Sequence, residues 1–332
     1  MRRLYARRPV CKEARLVPQP IVRIGTRGSK LALTQAGHMQ RRIAAALGYG
    51  PEDAEAVAPL VRIVTTGDQV QDRRLLEIGG KALFTKEIEE AMLDGRIDCA
   101  VHSMKDVPVE RRPGLVLAAI PEREDPRDAF VSPKFERLED LPQGARLGTA
   151  SLRRQAQALN ARPDLEVVMV RGNVDTRLAK LERGEADALL LALSGLKRLG
   201  LDGVVRSALD PILNPPAPGQ GALAIETPER LAEADWVRAL RHAPTTVAVA
   251  AERGSLEALE GSCRTAIGAH ARLQGGDLVL TVEALTPDGR ERFRREGRIA
   301  YAPDGAEAAR SLGERLGAEI RQEGGERLLL SI

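Results

Sequence analysis

The stretch that decides the fold reads Ile21-Val-Arg-Ile24 and then Gly25-Thr-Arg-Gly-Ser29. A short apolar run typical of a buried strand is followed by a loop that places Arg27 and Ser29 at a helix start. The same design recurs in Leu147-Gly-Thr-Ala-Ser151 with Leu152-Arg-Arg154, and in Glu166-Val-Val-Met-Val170 with Arg171-Gly-Asn-Val-Asp-Thr-Arg177. Helix starts expose unpaired N–H groups, and arginine adds a fork suited to carboxylate or phosphate. Three such sites predict a ligand with many negative groups.

Composition indicates a globular protein of two or three domains, because the chain has 332 residues, 43% hydrophobic and 29% charged. A net charge of +3 favours neither nucleic acid nor an anionic membrane as a partner. Cys11, Cys99 and Cys263 do not suggest a disulfide framework, and no apolar run reaches membrane-spanning length. We therefore interpret the chain as cytoplasmic. Residues 1–20 are basic and irregular, and we expect them to be a disordered extension.

Strand and helix patterns alternate from Ile21 to about Glu226, which predicts an α/β fold with mainly parallel sheets. Ser29 and Ser151 are the expected N-caps of two of the helices. The strand-like runs are 21–24, 60–66, 97–101, 115–120, 146–149, 166–170, 187–191 and 222–226, and the helical stretches include 29–47, 84–94, 151–160 and 173–183.

Two proline-rich stretches, 121–127 and 214–221, interrupt this alternation and suit hinge crossings between two lobes. After residue 240 the pattern changes to a helix at about 245–260, strands near 267–273, 278–285 and 292–301, and a last helix at about 304–323. Strands grouped together and flanked by helices predict a small α+β domain with a three-stranded sheet.

Three segments carry side chains suited to chemistry. The segment Ala100–Pro108 follows an apolar run, so Ser103, Lys105 and Asp106 are expected where ligands bind beyond the carboxyl ends of strands. Taken singly, it also fits an ordinary solvated turn, and Lys105 and Asp106 can simply pair with each other.

The other two segments also allow two readings. The run Gly79-Gly-Lys-Ala-Leu-Phe84 either approaches a ligand or is a flexible loop with a solvated Lys81. Cys263, beside Arg264, is either a covalent anchor or an unreactive apolar filler. The four histidines show no metal-ligand spacing, so no metal site is predicted.

Taken together and in order, these segments resemble the porphobilinogen deaminase (hydroxymethylbilane synthase) family from Ile21 onward. The motifs that carry the resemblance are Gly25–Leu33, Gly79–Phe84, Val101–Pro108, Glu122–Phe130, Gly148–Arg154, Arg171–Arg177, Gly195–Gly200, Pro218–Ala222 and Leu259–Cys263.

The resemblance implies two α/β lobes like those of type II periplasmic binding proteins and a third domain that carries the cofactor. The predicted division is residues 21–121 with 217–240 for the first domain, 127–214 for the second and 243–332 for the third. The implied reaction joins four porphobilinogen molecules head to tail with loss of ammonia, and water then releases hydroxymethylbilane. The chain is expected to act as a monomer on porphobilinogen and the growing oligopyrrole.

Growth is expected to start on a dipyrromethane cofactor held by a thioether to Cys263. Every pyrrole unit carries an acetate and a propionate, so a cleft rich in arginine suits the bound chain. An aspartate against the pyrrole N–H groups would stabilise a cationic methylene-pyrrole and later help to remove the ring proton, and Asp106 matches the family's catalytic aspartate.

The resemblance assigns further site residues by position. Implied catalytic residues are Asp106, Arg27, Arg171, Arg177 and Lys81; implied cofactor contacts are Cys263, Lys105, Asp106, Ser103, Thr149, Ser151, Arg153, Arg154, Arg171 and Gly195; implied substrate contacts are Arg27, Ser29, Gln35, Phe84, Arg171, Arg177 and Gln220.

The chain departs from the family at two places: Glu77 stands where a lysine is frequent, and Ala266 replaces a common proline after the cofactor cysteine. Glu77 is therefore assigned no substrate contact. The residues also allow three other classes of protein: a solute-binding protein, an RNA-binding protein and a phosphate-ligand transferase. Neither the solute-binding nor the transferase reading gives Cys263 a role, and scarce aromatic residues disfavour RNA.

Overall fold

The computed structural model describes residues 21–69, 85–260 and 265–329. Thirteen strands and ten α-helices lie in these ranges. The strands are β1 (Ile24–Thr26), β2 (Leu60–Arg62), β3 (Cys99–Ser103), β4 (Leu115–Ala119), β5 (Asp128–Val131), β6 (Arg146–Gly148), β7 (Glu166–Val168), β8 (Ala188–Ala192), β9 (Ser207–Ala208), β10 (Leu223–Pro228), β11 (Ala266–Gln274), β12 (Asp277–Leu285) and β13 (Arg292–Ala300). The helices are α1 (Lys30–Ala46), α2 (Ala54–Val57), α3 (Thr66–Gln69), α4 (Lys86–Leu93), α5 (Leu152–Ala161), α6 (Val174–Glu182), α7 (Leu193–Arg198), α8 (Asp235–Arg238), α9 (Ala243–Ala258) and α10 (Ala306–Gly324).

The strands form three sheets. The first sheet has the order β2-β1-β3-β10-β4, the second β7-β6-β8-β5-β9 and the third β11-β12-β13. Helices cover the two five-stranded sheets, while α9 and α10 pack on the antiparallel third sheet. The predicted α/β lobes with a small α+β unit are therefore confirmed.

The two large sheets are mainly parallel, as the sequence predicts: in each of them four strands run in one direction and one strand runs against them. Within the first sheet β1 runs parallel to β2 and β3, whereas β10 runs antiparallel to β3 and β4. The second sheet repeats this scheme, with β5 antiparallel to β8 and β9. β5 and β10 run against the other strands because the chain enters each of them from the other sheet. A strand returns in the parallel direction when a helix on its own sheet connects it to the strand before.

Side-chain caps begin the three helices of the recurring design. The hydroxyl of Ser29 accepts from Ala32 N at 3.3 Å, that of Ser151 from Arg154 N at 3.5 Å, and the Asn173 amide oxygen from Thr176 N at 2.8 Å. Each cap stabilises a helix start by about 1 kcal/mol. The caps fix the N-termini of α1, α5 and α6 next to the ends of β1, β6 and β7.

The first lobe's core lies between α1 and its sheet. Ile24 of β1 and Ile43 of α1 are both fully buried in it. Burial of each such side chain stabilises the fold by about 1.5–3 kcal/mol. The helix is thereby held with its N-terminus at the edge of the sheet where the site lies.

Two irregular segments connect the large sheets. Residues 120–127 lead from β4 to β5, and residues 209–222 lead from β9 back to β10. They contain the two proline-rich stretches that the sequence predicts as crossings. No helix in the described ranges is long and apolar enough to span a membrane.

Candidate functional site

The candidate site is a cleft between the two large sheets, at the carboxyl ends of β3 and β8. This is where open α/β sheets bind ligands. Its lining comes from both lobes and from the second crossing: Leu31, Gln35, Ser103, Lys105, Ala192, Ser194, Gly195, Arg198, Gly221 and Ala222.

A single helical turn, Met104–Asp106, follows β3 and carries two of the predicted site residues. Met104 is fully buried, and its amide N–H donates to Ala222 O at 3.0 Å. Lys105 and Asp106 are both exposed, and Lys105 lines the cleft. Just before the turn, Gln35 of α1 donates through Nε2 to Ser103 Oγ at 3.0 Å. The buried Met104 therefore fixes the turn, which carries a cation and a carboxylate next to each other.

Lys105 lies close to other positive groups. Its Nζ donates to Gln220 Oε1 at 3.3 Å. Desolvation by the surrounding protein, together with repulsion from Arg154, lowers the pKa of Lys105 to about 8, against the opposing attraction of Asp106. The side chain still opens to the cleft, so an anionic ligand can restore its charge.

Two arginines of the second lobe face the same place. Desolvation, and next the charges of Arg154 and Arg171, lower the pKa of Arg177 to about 10, while Asp106 opposes the shift. Arg177 therefore stays cationic at neutral pH. Its Nε donates to Gly172 O at 2.8 Å, which fixes the base of the guanidinium. Arg171 Nη1 is buried and has no hydrogen-bond partner among the described residues.

Arg153 and Arg154, predicted to bind cofactor carboxylates, are both 5% exposed and already paired with a carboxylate of the chain. Asp128 accepts from Arg153 Nη1 at 2.7 Å and from Arg154 Nε and Nη2 at 3.0 and 2.8 Å. Burial alone would raise the pKa of Asp128, but the two guanidinium groups outweigh it and hold the pKa well below its usual range. Their cofactor role stays a prediction.

Gln220, a predicted substrate contact, is 1% exposed and its amide is engaged by the protein. Its Nε2 donates to Pro126 O at 2.7 Å and to Asp128 Oδ1 at 2.9 Å, and its Oε1 accepts from Lys105 and Arg154. These contacts join the two crossings to the site. In this structure the amide therefore orients Lys105.

The remaining predicted residues are distributed around the cleft. Gln35, Ser103 and Gly195 line it. Arg27 and Ser29 begin α1, and Thr149 and Ser151 precede α5, where Ser151 N donates to Thr149 Oγ1 at 3.1 Å. Lys81, Phe84, Cys263, Glu77 and residues 1–20 lie outside the described residues.

Sequence reasoning missed the carboxylates that hold this site together, namely Asp128, Glu226 and Glu252. Glu252 of α9 is fully buried and accepts from Arg123 Nη1 at 2.7 Å, Gly219 N at 2.7 Å and Ala271 N at 2.9 Å. It thus ties both crossings to the third sheet. The available signal was an acidic residue inside an apolar helix or strand, which predicts a buried pair without naming the partner.

Comparison with protein-family models gives two matches. The model described as porphobilinogen deaminase, dipyromethane cofactor binding domain, matches residues 22–235. The model described as porphobilinogen deaminase, C-terminal domain, matches residues 246–322. Together they cover both large sheets and most of the third unit.

Curated relatives agree with the family models. The porphobilinogen deaminase of Caulobacter sp. (strain K31) is 69% identical over 315 residues, covering 94% of this chain and 99% of the relative. That of Phenylobacterium zucineum (strain HLK1) is 65% identical over 317 residues, covering 94% and 99%. Among solved structures, a periplasmic substrate-binding protein of an ABC transporter from Coxiella burnetii overlaps 70% of this chain and 96% of its own, with 16% identity and a TM-score of 0.40.

Proposed function

Because the chain belongs to the porphobilinogen deaminase family, we propose that the cleft described above is its active site. The enzyme is a transferase, hydroxymethylbilane synthase, with a dipyrromethane cofactor. It joins four porphobilinogen molecules head to tail with loss of ammonia and releases the linear product by hydrolysis. We propose that Lys105, Asp106, Arg171 and Arg177 carry out recognition and chemistry there.

One observation carries this assignment: cations from both lobes, Lys105 and Arg177, interact electrostatically with one exposed carboxylate, Asp106. Lys105 comes from the first lobe, and Arg171 and Arg177 come from the second. Desolvation, and next the charge of Arg154, lowers the pKa values of Lys105 and Arg177. Arg171 Nη1 is buried without a partner in the part of the chain described. A cluster with surplus positive charge and an unused donor suits a ligand rich in carboxylates.

The same residues fit the family's cofactor. Lys105, Ser151 and Arg171 would hold its acetate and propionate groups, with the α5 start contributing N–H groups. When bound, dipyrromethane supplies an anchored pyrrole carbon as the nucleophile. Cys263 is the proposed point of attachment.

Asp106 is proposed to act on the substrate. Loss of ammonia from porphobilinogen leaves a cationic methylene-pyrrole, and a carboxylate beside the pyrrole N–H groups stabilises that charge as it forms. After the new carbon–carbon bond forms, the ring carbon must lose its proton, and the same carboxylate can accept it. Arg177 lies close enough to Asp106 to interact with it electrostatically.

Arg27, Ser29, Gln35 and Gln220 are proposed to complete the substrate subsite. Ser103, Thr149, Arg153, Arg154 and Gly195 are proposed to complete the cofactor subsite. Lys81 and Phe84 are proposed to close over it. For Arg153 and Arg154 the support is positional, since Asp128 already engages them.

The domain division 21–121 with 217–240, 127–214 and 243–332 remains our proposal, supported by the membership of the three sheets. We also propose that the enzyme works as a cytoplasmic monomer without nucleic acid. Its nearly balanced charge, 50 basic against 47 acidic residues, supports the last point. One chain supplies both lobes and the cofactor cysteine, which supports a monomer.

The test is Asp106→Asn in purified enzyme, with ammonia release and product formation measured per cofactor-loaded molecule. We expect kcat to fall at least about a hundredfold, because the neutral amide neither stabilises the cation nor accepts the proton. The matched control is Asp94→Asn, an exposed aspartate at the end of α4 that precedes β3, whereas Asp106 follows β3. Activity of Asp106→Asn within about twofold of the control would contradict the assignment.

A further inference from the structure

Glu226 is a buried carboxylate on β10 for which the proposed reaction has no use. Its side chain is 2% exposed. Its Oε2 lies 2.9 Å from His102 Nε2, and its Oε1 accepts from Arg111 Nη2 at 2.7 Å. The strand around it is apolar and fully buried, so a charged residue is unexpected there.

The two partners of Glu226 flank the turn that carries Lys105 and Asp106. His102 is in β3, immediately before Ser103, and Arg111 is in the loop that follows the turn. One carboxylate on the neighbouring strand therefore holds the chain on both sides of the reactive turn.

A second contact fixes the same segment from the third unit. Arg253 of α9 donates through Nη1 to Val107 O at 2.9 Å and through Nη2 to Pro108 O at 2.7 Å. The backbone that leaves the turn is thus held by α9 while Glu226 holds the turn's two flanks. Lys105 and Asp106 are themselves exposed, so their positions depend on this backbone.

Stability alone does not account for this arrangement. Removing a carboxylate and a guanidinium from water is costly, and well-packed apolar residues generally serve as well or better. Arg111 Nη1 is moreover buried without a hydrogen-bond partner among the described residues, an added cost. What the arrangement provides is a fixed geometry, because each oxygen of the Glu226 carboxylate binds a different partner and the hydrogen bonds are directional.

We propose that Glu226, acting through His102 and Arg111, is a positioning residue that sets the placement of Asp106 and Lys105 for each condensation step. This inference rests on the proposed function of the cleft. A carboxylate displaced by about 1 Å from the developing charge costs up to about a hundredfold in rate.

The test is Glu226→Gln, which keeps the shape of the side chain and removes its charge. We expect kcat per cofactor-loaded molecule to fall about ten- to a hundredfold while KM changes less than about threefold. In hydrogen exchange, the amides of Met104 and Val107, which donate to Ala222 O and Met104 O, are expected to lose protection ahead of the rest of the sheet.

The matched control is Asp98→Asn, immediately before β3 and at the end of that strand opposite to His102 and the turn. Asp98 accepts from Arg23 N, Nε and Nη2 at 2.8–2.9 Å, so the change also removes an ion pair that holds β3, but away from the turn. We expect it to lower thermal stability and leave kcat and the protection of Met104 unchanged.

If Glu226→Gln does not fold, Arg111→Met takes its place in the test. Arg111 lies in a loop and its side chain is more exposed than that of Glu226, so its replacement disturbs the core less. The same kcat loss is expected, with partial recovery in Arg111→Lys, which restores one charged donor. The inference would be overturned if the wild type is active and kcat is unchanged in Glu226→Gln. If Glu226→Gln is unfolded, an unchanged kcat in Arg111→Met would overturn it. A wild type that does not consume porphobilinogen would instead refute the proposed function.

Discussion

Lys105 shows how its surroundings change the properties of a single residue. The lysine is exposed to the cleft, yet nearby protein and the charge of Arg154 reduce its pKa to about 8. In the free enzyme it is therefore cationic at pH 7 and largely neutral at pH 9. A bound carboxylate reverses this shift, so ligand binding and protonation of Lys105 favour each other.

The prediction at this scale concerns kcat/KM for porphobilinogen between pH 7 and pH 9. Since protonated Lys105 is the form that attracts carboxylates, kcat/KM is expected to fall about tenfold as the pH rises through 8. Lys105→Arg stays charged throughout this range and should lack this fall, whatever its absolute activity. Any ionisation of the substrate amine affects both enzymes equally. Parallel pH profiles for the two would contradict the role given to Lys105.

The sequence did not predict that Asp128 is the partner of Arg153 and Arg154. The sequence places Arg153 and Arg154 at a helix start, which correctly indicates an anion. It does not show which anion, because Asp128 lies 25 positions earlier in the chain and meets Arg153 only through the packing of β5 against α5. The same holds for Glu226, whose partners are 124 and 115 positions away.

At the scale of elements, long helices are predicted better than short helices and short strands. The expected helix at 29–47 is observed as Lys30–Ala46, and that at 151–160 as Leu152–Ala161, because the apolar period and the serine caps are local signals. β5 and β9 were missed. They have four and two residues, and such short strands are defined by their neighbours rather than by a pattern of their own.

Helix α5 connects the site to the third unit. Its first turn carries Arg153 and Arg154, and its far end contacts the turn between β12 and β13. There Asn160 Nδ2 donates to Gly289 O at 2.8 Å. Gly289 has a φ of +73°, and a Cβ at this position would lie 2.4 Å from Ala156 O. The close approach requires glycine.

The prediction for this element is that Gly289→Ala separates α5 from the third sheet. Gly275→Ala is the matched control, because Gly275 has a φ of +61° but nothing within 4 Å of the added Cβ. Both variants carry the cost of a left-handed alanine, about 1–2 kcal/mol, and only Gly289→Ala adds a backbone clash. Its Tm should fall below that of the control by at least about 2 °C. Equal melting temperatures would show that α5 is not held this way.

At the scale of the whole molecule, the fold places the proposed active site between the two large sheets. The chain crosses from the first lobe to the second before β5 and returns before β10. Glu252 binds residues of both crossings and the backbone of β11. The first strand of the third unit begins just after the proposed cofactor cysteine. Sequence motifs predicted this order of units. They did not predict the single antiparallel strand in each large sheet, because a strand's direction depends on its connection rather than on its own residues.

The central claim is that this chain builds its product on a primer bound to itself. The most direct test is the intact mass of the purified protein measured beside Cys263→Ala. We predict a mass above that of the polypeptide by two linked pyrrole units, absent from the variant. A bare polypeptide mass in both proteins, unchanged after incubation with porphobilinogen, would contradict the account.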